Sequence, residues 1–259
     1  SCAVTAIGLY SFAECADITG VYVPDSVKEI GHYAFSDCTS LKTVGIGKGV
    51  ETLGNNVFST CTSLEKITVN KDNAVFTSDE NDVLYNKEKT ELLVFPAANT
   101  AATYTVSEKV KIIADGTFAG SANVKSIVIS DGVTSIGANA FLGSRSLESV
   151  SIGKGVTVIG SDAFEGCEKL SSIHVSSDNT VYSSSEGVLY NKAKTELIKY
   201  PAGNMSETFK IGAGIQNVRV LSFSNAKNLK AVTISKDVKV IGASAFYGCI
   251  NIADVYYEG

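Results

Sequence analysis

Six cysteines and two histidines are the side chains in this sequence best suited to nucleophilic, redox or metal chemistry. Their spacing argues against each of these roles. No Cys-x-x-Cys pair is present to hold zinc. Five cysteines, Cys15, Cys38, Cys61, Cys167 and Cys249, stand three residues after a phenylalanine, and Ser121, Ser144 and Ala226 stand in the same relation to other phenylalanines. A place that accepts Cys, Ser or Ala asks for small size and burial, which a free thiol provides. Buried, reduced thiols are therefore expected, with Cys2 the most exposed. A bridge among Cys15, Cys38 and Cys61 stays sterically conceivable if they lie on adjacent strands about 4.8 Å apart. His32 falls in a turn before a phenylalanine, and His174 falls between Ile173 and Val175 in an alternating strand pattern, so neither is placed for a Ser-His-Asp assembly.

Other chemistry is equally thin. Gly45, Gly47 and Gly49, and again Gly153 and Gly155, lack the spacing of a phosphate-binding loop and suit tight corners. Asp79, Glu80 and Asp82 could cradle calcium, but Ser184, Ser185 and Glu186 stand in the matching segment, which favours a solvated loop. Asn204 and Ser206 form a lone glycosylation sequon. The net charge of −5 disfavours a nucleic-acid partner, which needs a basic surface. No apolar run approaches the roughly 18 residues of a membrane span, so direct insertion is not expected. At 44% hydrophobic and 19% charged residues the chain is expected to fold. No cofactor, no metal and no catalytic residue is expected.

What dominates the 259 residues is a repeat. Phe12, Phe35, Phe58, Phe118, Phe141, Phe164, Phe223 and Phe246 share one frame, spaced by 23 residues except for intervals of 60 and 59. Eight residues before each phenylalanine stands Val or Ile, as in Val27 and Val133; five before stands Ile, Leu or Val, as in Ile30 and Ile136. Glycine follows in six of the eight units, with Ala114 and Arg219 the exceptions. Six, nine and eleven residues after each phenylalanine come apolar residues such as Leu147, Val150 and Ile152. The last two alternate as in a strand with one buried face. The segment around each phenylalanine suits a single tight helical turn. Neither piece hides its apolar face alone, and stacking units in parallel buries both.

The segments Ile30–Ile46 (IGHYAFSDCTSLKTVGI) and Ile159–Val175 (IGSDAFEGCEKLSSIHV) resemble the BspA-type leucine-rich repeat, with its I-G-x-x-A-F-x-x-C-x-x-L pattern. The resemblance covers essentially the whole chain. It implies a right-handed leucine-rich-repeat solenoid of α/β type: a parallel sheet of about ten short strands, short helical turns opposite, and one domain over residues 1–259. It also implies a secreted or surface-anchored protein of a host-associated microbe, with adhesion to host matrix proteins or cells among the family's roles. Arg219 and Ala226 are expected to alter the turn of the seventh unit.

The long intervals hold two copies of one insert, in enlarged repeats over about 70–107 and 176–212. Val83–Tyr85 and Glu91–Phe95, flanking the polar stretch 86–90, read as a β-hairpin expected to replace the helical turn. Tyr104–Val106 and Phe209–Ile211 read as strand rungs, giving ten in all. Neither end shows an evident polar cap, so the sequence is expected to be a piece of a longer protein whose targeting segments lie elsewhere.

The reading that results is a non-catalytic extracellular binding or adhesion module for a protein or glycoprotein, with host matrix among the partners; the alternative is a structural spacer with no ligand of its own. Candidate contact residues are Tyr22, His174 and Tyr256 on the outward strand row, and Lys87, Glu88, Lys89, Lys192 and Lys194 at the hairpin tips. Phe76, Tyr85 and Phe95, and Tyr182, Tyr190 and Tyr200, are candidate interface anchors. Tyr85 and Tyr190 are expected instead to fold back as replacement core.

Overall fold

The computed structural model describes residues 3–259, and Cys2 lies outside them. The chain winds as a β-solenoid of stacked parallel coils. Ten four-residue rungs form one face: Gly20–Val23, Thr43–Ile46, Lys66–Val69, Thr103–Val106, Ser126–Ile129, Ser149–Ile152, Ser172–Val175, Thr208–Ile211, Ala231–Ile234 and Asp254–Tyr257. Both rungs expected within the enlarged repeats are present. Within a block, neighbouring rungs pair in parallel without a register shift, so that equivalent positions of successive repeats meet, as in Ile127 with Val150 and Val150 with Ile173. That register is dictated by the alternation: a slip of one residue would turn Ile127 and Ile129 to solvent and Val128 inward.

A second row of short strands lies five residues before each phenylalanine, with Ile113, Ile136 and Ile159 directly paired. Between the two rows sit the frame residues, with Ile113, Ile136, Leu147, Val150 and Phe141 fully buried.

The expected helical turns are absent: no helix occurs among the described residues. The backbone explains why. Two residues before and two after every frame phenylalanine, φ is positive, as in Tyr33 (55°) and Asp37 (59°) around Phe35, or Asn139 (55°) and Gly143 (65°) around Phe141. A left-handed residue at every fourth position cannot propagate a right-handed helix. Backbone donors alternate instead. Asn139, Phe141 and Gly143 donate to the next coil at Ser161, Ala163 and Glu165, whereas Leu142 and Ser144 close local turns onto Asn139 and Phe141. Stacking thus claims every second N–H, which the i to i−4 ladder of a helix would need. The seventh unit keeps this turn, with Leu221 at 53° and Asn225 at 59°, so the alteration expected there is corrected.

The two exceptions to the repeated glycine have a packing cause. A Cβ at Gly31, Gly54, Gly137, Gly160 or Gly242 would lie 2.3–2.7 Å from a backbone nitrogen of the preceding coil. Ala114 and Arg219 each follow an insert coil that reaches its aromatic two residues sooner: Ile113 precedes Phe118 by five residues, but its partner Leu92 precedes Phe95 by three. The shorter coil gives a side chain room.

Each insert is a three-stranded antiparallel meander. In the first, Phe76–Ser78 pairs with Leu84–Asn86, which pairs with Glu91–Val94; the last joins the second row in parallel beside Ile112–Ile113. The second insert repeats this with Tyr182–Ser185, Val188–Asn191 and Glu196–Lys199. The hairpin is borne out, but its first strand was not anticipated, and it does not replace the aromatic turn. Phe95 and Tyr200 occupy the aromatic frame, their amides donating to Thr117 and Ser222 as other frame residues do. Both lie 23 residues before the next frame phenylalanine, a spacing visible in the sequence.

The meanders divide the stack. The rung face breaks into blocks of three, four and three strands, and the apolar core into three clusters. At the second break the meander takes up rung donors: Ile173 N–H reaches Gly187 O at 2.8 Å and Val175 N–H reaches Ser184 Oγ at 2.9 Å. Aromatic stacking follows the same blocks, from Phe12 through Phe35 to Phe58, from Phe95 through Phe118 and Phe141 to Phe164, and from Tyr200 through Phe223 to Phe246.

Candidate functional site

The strand row places Tyr22, His174 and Tyr256 outward as expected. Tyr22 is 69% and Tyr256 56% exposed, and His174 is exposed between buried Ile173 and half-buried Val175. They share a face and do not meet. Tyr22 belongs to the first rung, His174 to the seventh and Tyr256 to the tenth, in three separate blocks. The Tyr22 ring lies against Gly45, where an added Cβ would fall 2.8 Å from it. The enlarged repeats add Thr105 and Lys210 to the row, aligned with Val128 and Thr233.

At the hairpin tips Lys87, Glu88, Lys89, Lys192 and Lys194 are exposed. The turn is built locally: Asn86 Oδ1 accepts from the amides of Thr90 and Glu91, and Asn191 Oδ1 from those of Thr195 and Glu196. Lys89 and Lys194 take positive φ and set their amines 5.6 and 6.0 Å from the ring centres of Tyr85 and Tyr190. Lys87 and Lys192 donate back to the carbonyls of Asn73 and Ser177 at 2.6 and 2.9 Å. Four of these five side chains thus also make contacts within their own insert.

The insert aromatics pack inward. Phe76, Phe95, Tyr182 and Tyr200 are buried along with Tyr85, and Tyr190 is half-buried against the third core cluster. Core packing is therefore the role of all six, and anchorage of a partner by them is corrected. Tyr85 Oη lies 2.7 Å from Tyr104 Oη, and burial with this contact raises the Tyr85 phenol, while burial pushes Tyr104 up to about 12.

The chemistry-bearing residues find structural partners. Cys38, Cys61, Cys167 and Cys249 donate from Sγ to the carbonyls of Phe12, Phe35, Phe141 and Phe223 at 3.0–3.1 Å, and Ser144 Oγ does the same to Phe118 at 2.7 Å. In the same slot Ser121 Oγ has no partner and Ala226 has no donor; both follow an insert coil, so the slot requires small size and uses a donor only where the preceding coil is of ordinary length. Cys15, Cys38, Cys61, Cys167 and Cys249 are free thiols, so no bridge joins the first three. Burial drives Cys61 and Cys167 up to about 12. His32 Nδ1 accepts from Asn55 N–H at 2.9 Å. Asp79 accepts from the amides of Asn81 and Val83 within its own loop, and no group of metal-ligating side chains gathers among the described residues.

Sequence reasoning missed two crevices, where each shortened insert coil lies recessed between its neighbours. The first, of about 280 Å³, is lined by Glu51, Glu91, Asp115, Phe58, Phe76 and Leu93 among others. The second, of about 310 Å³, is lined by Asp162, Glu165, Lys199, Arg219, Phe164 and Ile198 among others. In the second, Arg219 grips Glu196 with two hydrogen bonds, Nε to Oε1 at 3.2 Å and Nη2 to Oε2 at 3.0 Å. Beside it the buried Lys199 donates to Ser224 Oγ at 2.8 Å and Leu221 O at 3.0 Å, with Glu165 Oε2 at 3.5 Å; desolvation pushes this amine below its ordinary range. The signals available were the shared Thr-Glu-Leu of the inserts and the lone arginine at a glycine position. Lys199 had none, because the polar residue paired with it comes from a coil 34 residues away.

A coiled parallel stack with phenylalanine turns and a ladder of thiol-to-carbonyl bonds defines a leucine-rich-repeat solenoid. A family model described as BspA type leucine rich repeat region, in six copies, matches residues 5–102, 94–208 and 202–259. The chain belongs to that family. Among solved structures it is similar to a leucine rich cell surface protein from Faecalibacterium prausnitzii, at 30% identity and TM-score 0.63, over 98% of this chain and 64% of that one. It is also similar to a leucine-rich repeat protein from Eubacterium ventriosum, at 25% identity and TM-score 0.67, over 94% of this chain and 80% of that one. The chain spans less than two thirds of the length of the Faecalibacterium structure. No curated protein matches. No helix among the described residues is long and apolar enough to cross a membrane.

Proposed function

We propose that this chain is a non-catalytic extracellular binding module, folded as one domain, that presents its rung face and meanders to a protein or glycoprotein at a cell surface or in a host matrix. The observation that carries this reading is the rung face itself. It holds outward side chains at fixed intervals on a hydrogen-bonded frame, so that binding to it orders little backbone. The row is weakly polar and punctuated by the exposed aromatics Tyr22 and Tyr256, a residue type enriched in interface anchors. The cell-surface description of the Faecalibacterium relative supports an extracellular setting.

The test is binding of the chain to a panel of matrix glycoproteins and whole cells, repeated with two variants. One carries Tyr22→Ser, His174→Ser and Tyr256→Ser; the other replaces Lys87, Glu88, Lys89, Lys192 and Lys194 by Ser. Loss of binding in the first, with unchanged melting, supports the rung face. Loss only in the second moves the site to the meander tips. A uniformly null panel overturns the reading in favour of a spacer that holds other domains away from a surface.

A further inference from the structure

The two halves of the chain form a built-in comparison, since each holds the same crevice with a different filling. Glu91 and Glu196 are equivalent, each opening the last meander strand, opposite Ile112 and Asn217 respectively. Ala114 and Arg219 are equivalent too, each following the second-row strand of the next coil. In the second half the Arg219 guanidinium forks onto Glu196. In the first half Ala114 leaves that place open. No lysine or arginine lines the first crevice, whereas Lys199 and Arg219 line the second.

Glu91 is the acid there without a partner. Glu51 pairs with Lys28 at 2.6 Å, and Asp115 accepts from Asn55 Nδ2 at 2.7 Å and from Ala138 N–H at 2.8 Å. The Glu91 carboxylate has no hydrogen bond or ion pair among the described residues, and its partial burial, unrelieved by any cation, raises its pKa. The lining beside it mixes the apolar side chains of Phe58, Phe76, Leu93 and Val94 with the polar Asn55, Asn56 and Ser59. An acid beside such a mixed lining matches a side chain with an apolar stem and a planar, charged fork rich in donors. An ammonium would meet the charge but could not use both carboxylate oxygens in the same plane.

We propose that the crevice beside Glu91 is a receptor for an arginine side chain of a partner protein, which takes the position that Arg219 fills from within in the second half. This rests on the reading of the chain as a protein-binding module and names one chemical feature of the partner. It also assigns the halves different tasks: the acid of the second half is engaged by the chain's own arginine, and the equivalent acid of the first half is left for a partner.

The test uses N-acetyl-arginine methylamide as probe, titrated against the whole chain by calorimetry or by NMR shifts of Leu93 and Val94, with the lysine and citrulline analogues alongside. Saturable binding of the arginine probe, with citrulline about tenfold or more weaker, is expected, since removing one charge-assisted contact costs on that order. Glu91→Gln should weaken the arginine probe by a similar factor, and Glu196→Gln should leave it unchanged. Ala114→Arg, which copies the second half, should raise the melting temperature and abolish probe binding. Absence of binding to the unmodified chain, equal binding of citrulline, or full binding in Ala114→Arg would each overturn the proposal. A matrix partner still held by Ala114→Arg while the probe fails would exclude the crevice and leave the binding-module reading standing; a null panel with probe binding intact would do the reverse.

Discussion

Asn179 makes, bond for bond, the four hydrogen bonds that Asn73 makes in the first half of the chain. In each, Nδ2 donates to two carbonyls of the preceding coil, Gly47 and Val50 or Gly153 and Val156, at 2.9–3.0 Å. In each, Oδ1 accepts from the first two amides of the meander, Val75 and Phe76 or Val181 and Tyr182, at 2.7–2.9 Å. Both side chains are fully buried, and they pin each meander to the solenoid. Asn179→Ala removes all four bonds and leaves buried partners unsatisfied, so a loss of about 2–4 kcal/mol is expected in urea unfolding. Asn179→Asp keeps the acceptor but sets a buried carboxylate oxygen against the carbonyls of Gly153 and Val156, so it should cost at least as much as alanine. An alanine variant as stable as the parent would show that the meander is held by its apolar packing alone.

The thiol ladder gives a ranking. Cys167→Ser should keep the bond to Phe141 O, as Ser144 keeps its bond to Phe118 O, and should change stability little. Cys167→Ala loses the donor, and about 1 kcal/mol more should be lost. Alkylation followed by peptide mapping should find Cys38, Cys61 and Cys167 protected in the folded protein, with Cys15 and Cys249, both half-buried, reacting first. Equal reactivity at all five would contradict the ladder.

Position along the stack should matter as much as residue type. Phe141 is fully buried between Phe118 and Phe164, at ring distances of 5.3 and 5.2 Å, whereas Phe12 is 41% exposed in the first coil. Phe141→Ala should cost about 3–5 kcal/mol. Phe12→Ala should cost less than half as much, a contrast that paired chemical denaturation curves would resolve.

Alkaline pH should destabilise the fold in two stages. Burial holds Cys61 and Cys167 up to about 12 against an ordinary value of 9.0, so the folded state keeps protons that the unfolded chain releases. Their contribution is complete below pH 9 and is lost as pH rises from there toward 12. Tyr104, Tyr190 and Tyr200, also raised to about 12, join from pH 10. The double variant Cys61→Ser, Cys167→Ser should flatten the fall in melting temperature between pH 9 and 10 and leave the steeper loss above it. An unchanged profile would assign the first stage to other groups.

The polar contact across the second break should be asymmetric. Glu165→Gln strips the counter-charge from an amine that is itself almost buried, and about 3 kcal/mol should be lost, near the lower end for such pairs because Glu165 is 21% exposed. Desolvation already lowers the Lys199 pKa, so the variant's deficit should shrink as pH rises and the amine sheds its proton in the folded state. Lys199→Met, which removes the buried charge, should be close to neutral. Thermal melts of both at pH 7 and 9.5 would decide, and a larger loss in the methionine variant would reverse the argument.

The residues that had to be buried were legible without coordinates. The spacing of Val133, Ile136, Phe141, Leu147, Val150 and Ile152 fixes one coil, because each apolar position must meet its like in the next, and a repeated requirement leaves a repeated residue. The same logic marked the ten rungs and the outward placement of His174. The helical turn was misjudged because apolar spacing around Phe141 is compatible with a helix, whereas the positive φ of Asn139 and Gly143 follows from donors being claimed by the neighbouring coil, a contact made 22 residues away. Phe95 and Tyr200 carried the frame spacing but were read as part of the inserts. The crevices were decided only in three dimensions. Glu91 and Glu196 read alike in sequence, and what separates an open acid from a closed ion pair is whether Ala114 or Arg219 stands beside it once a shortened coil has recessed between two longer ones.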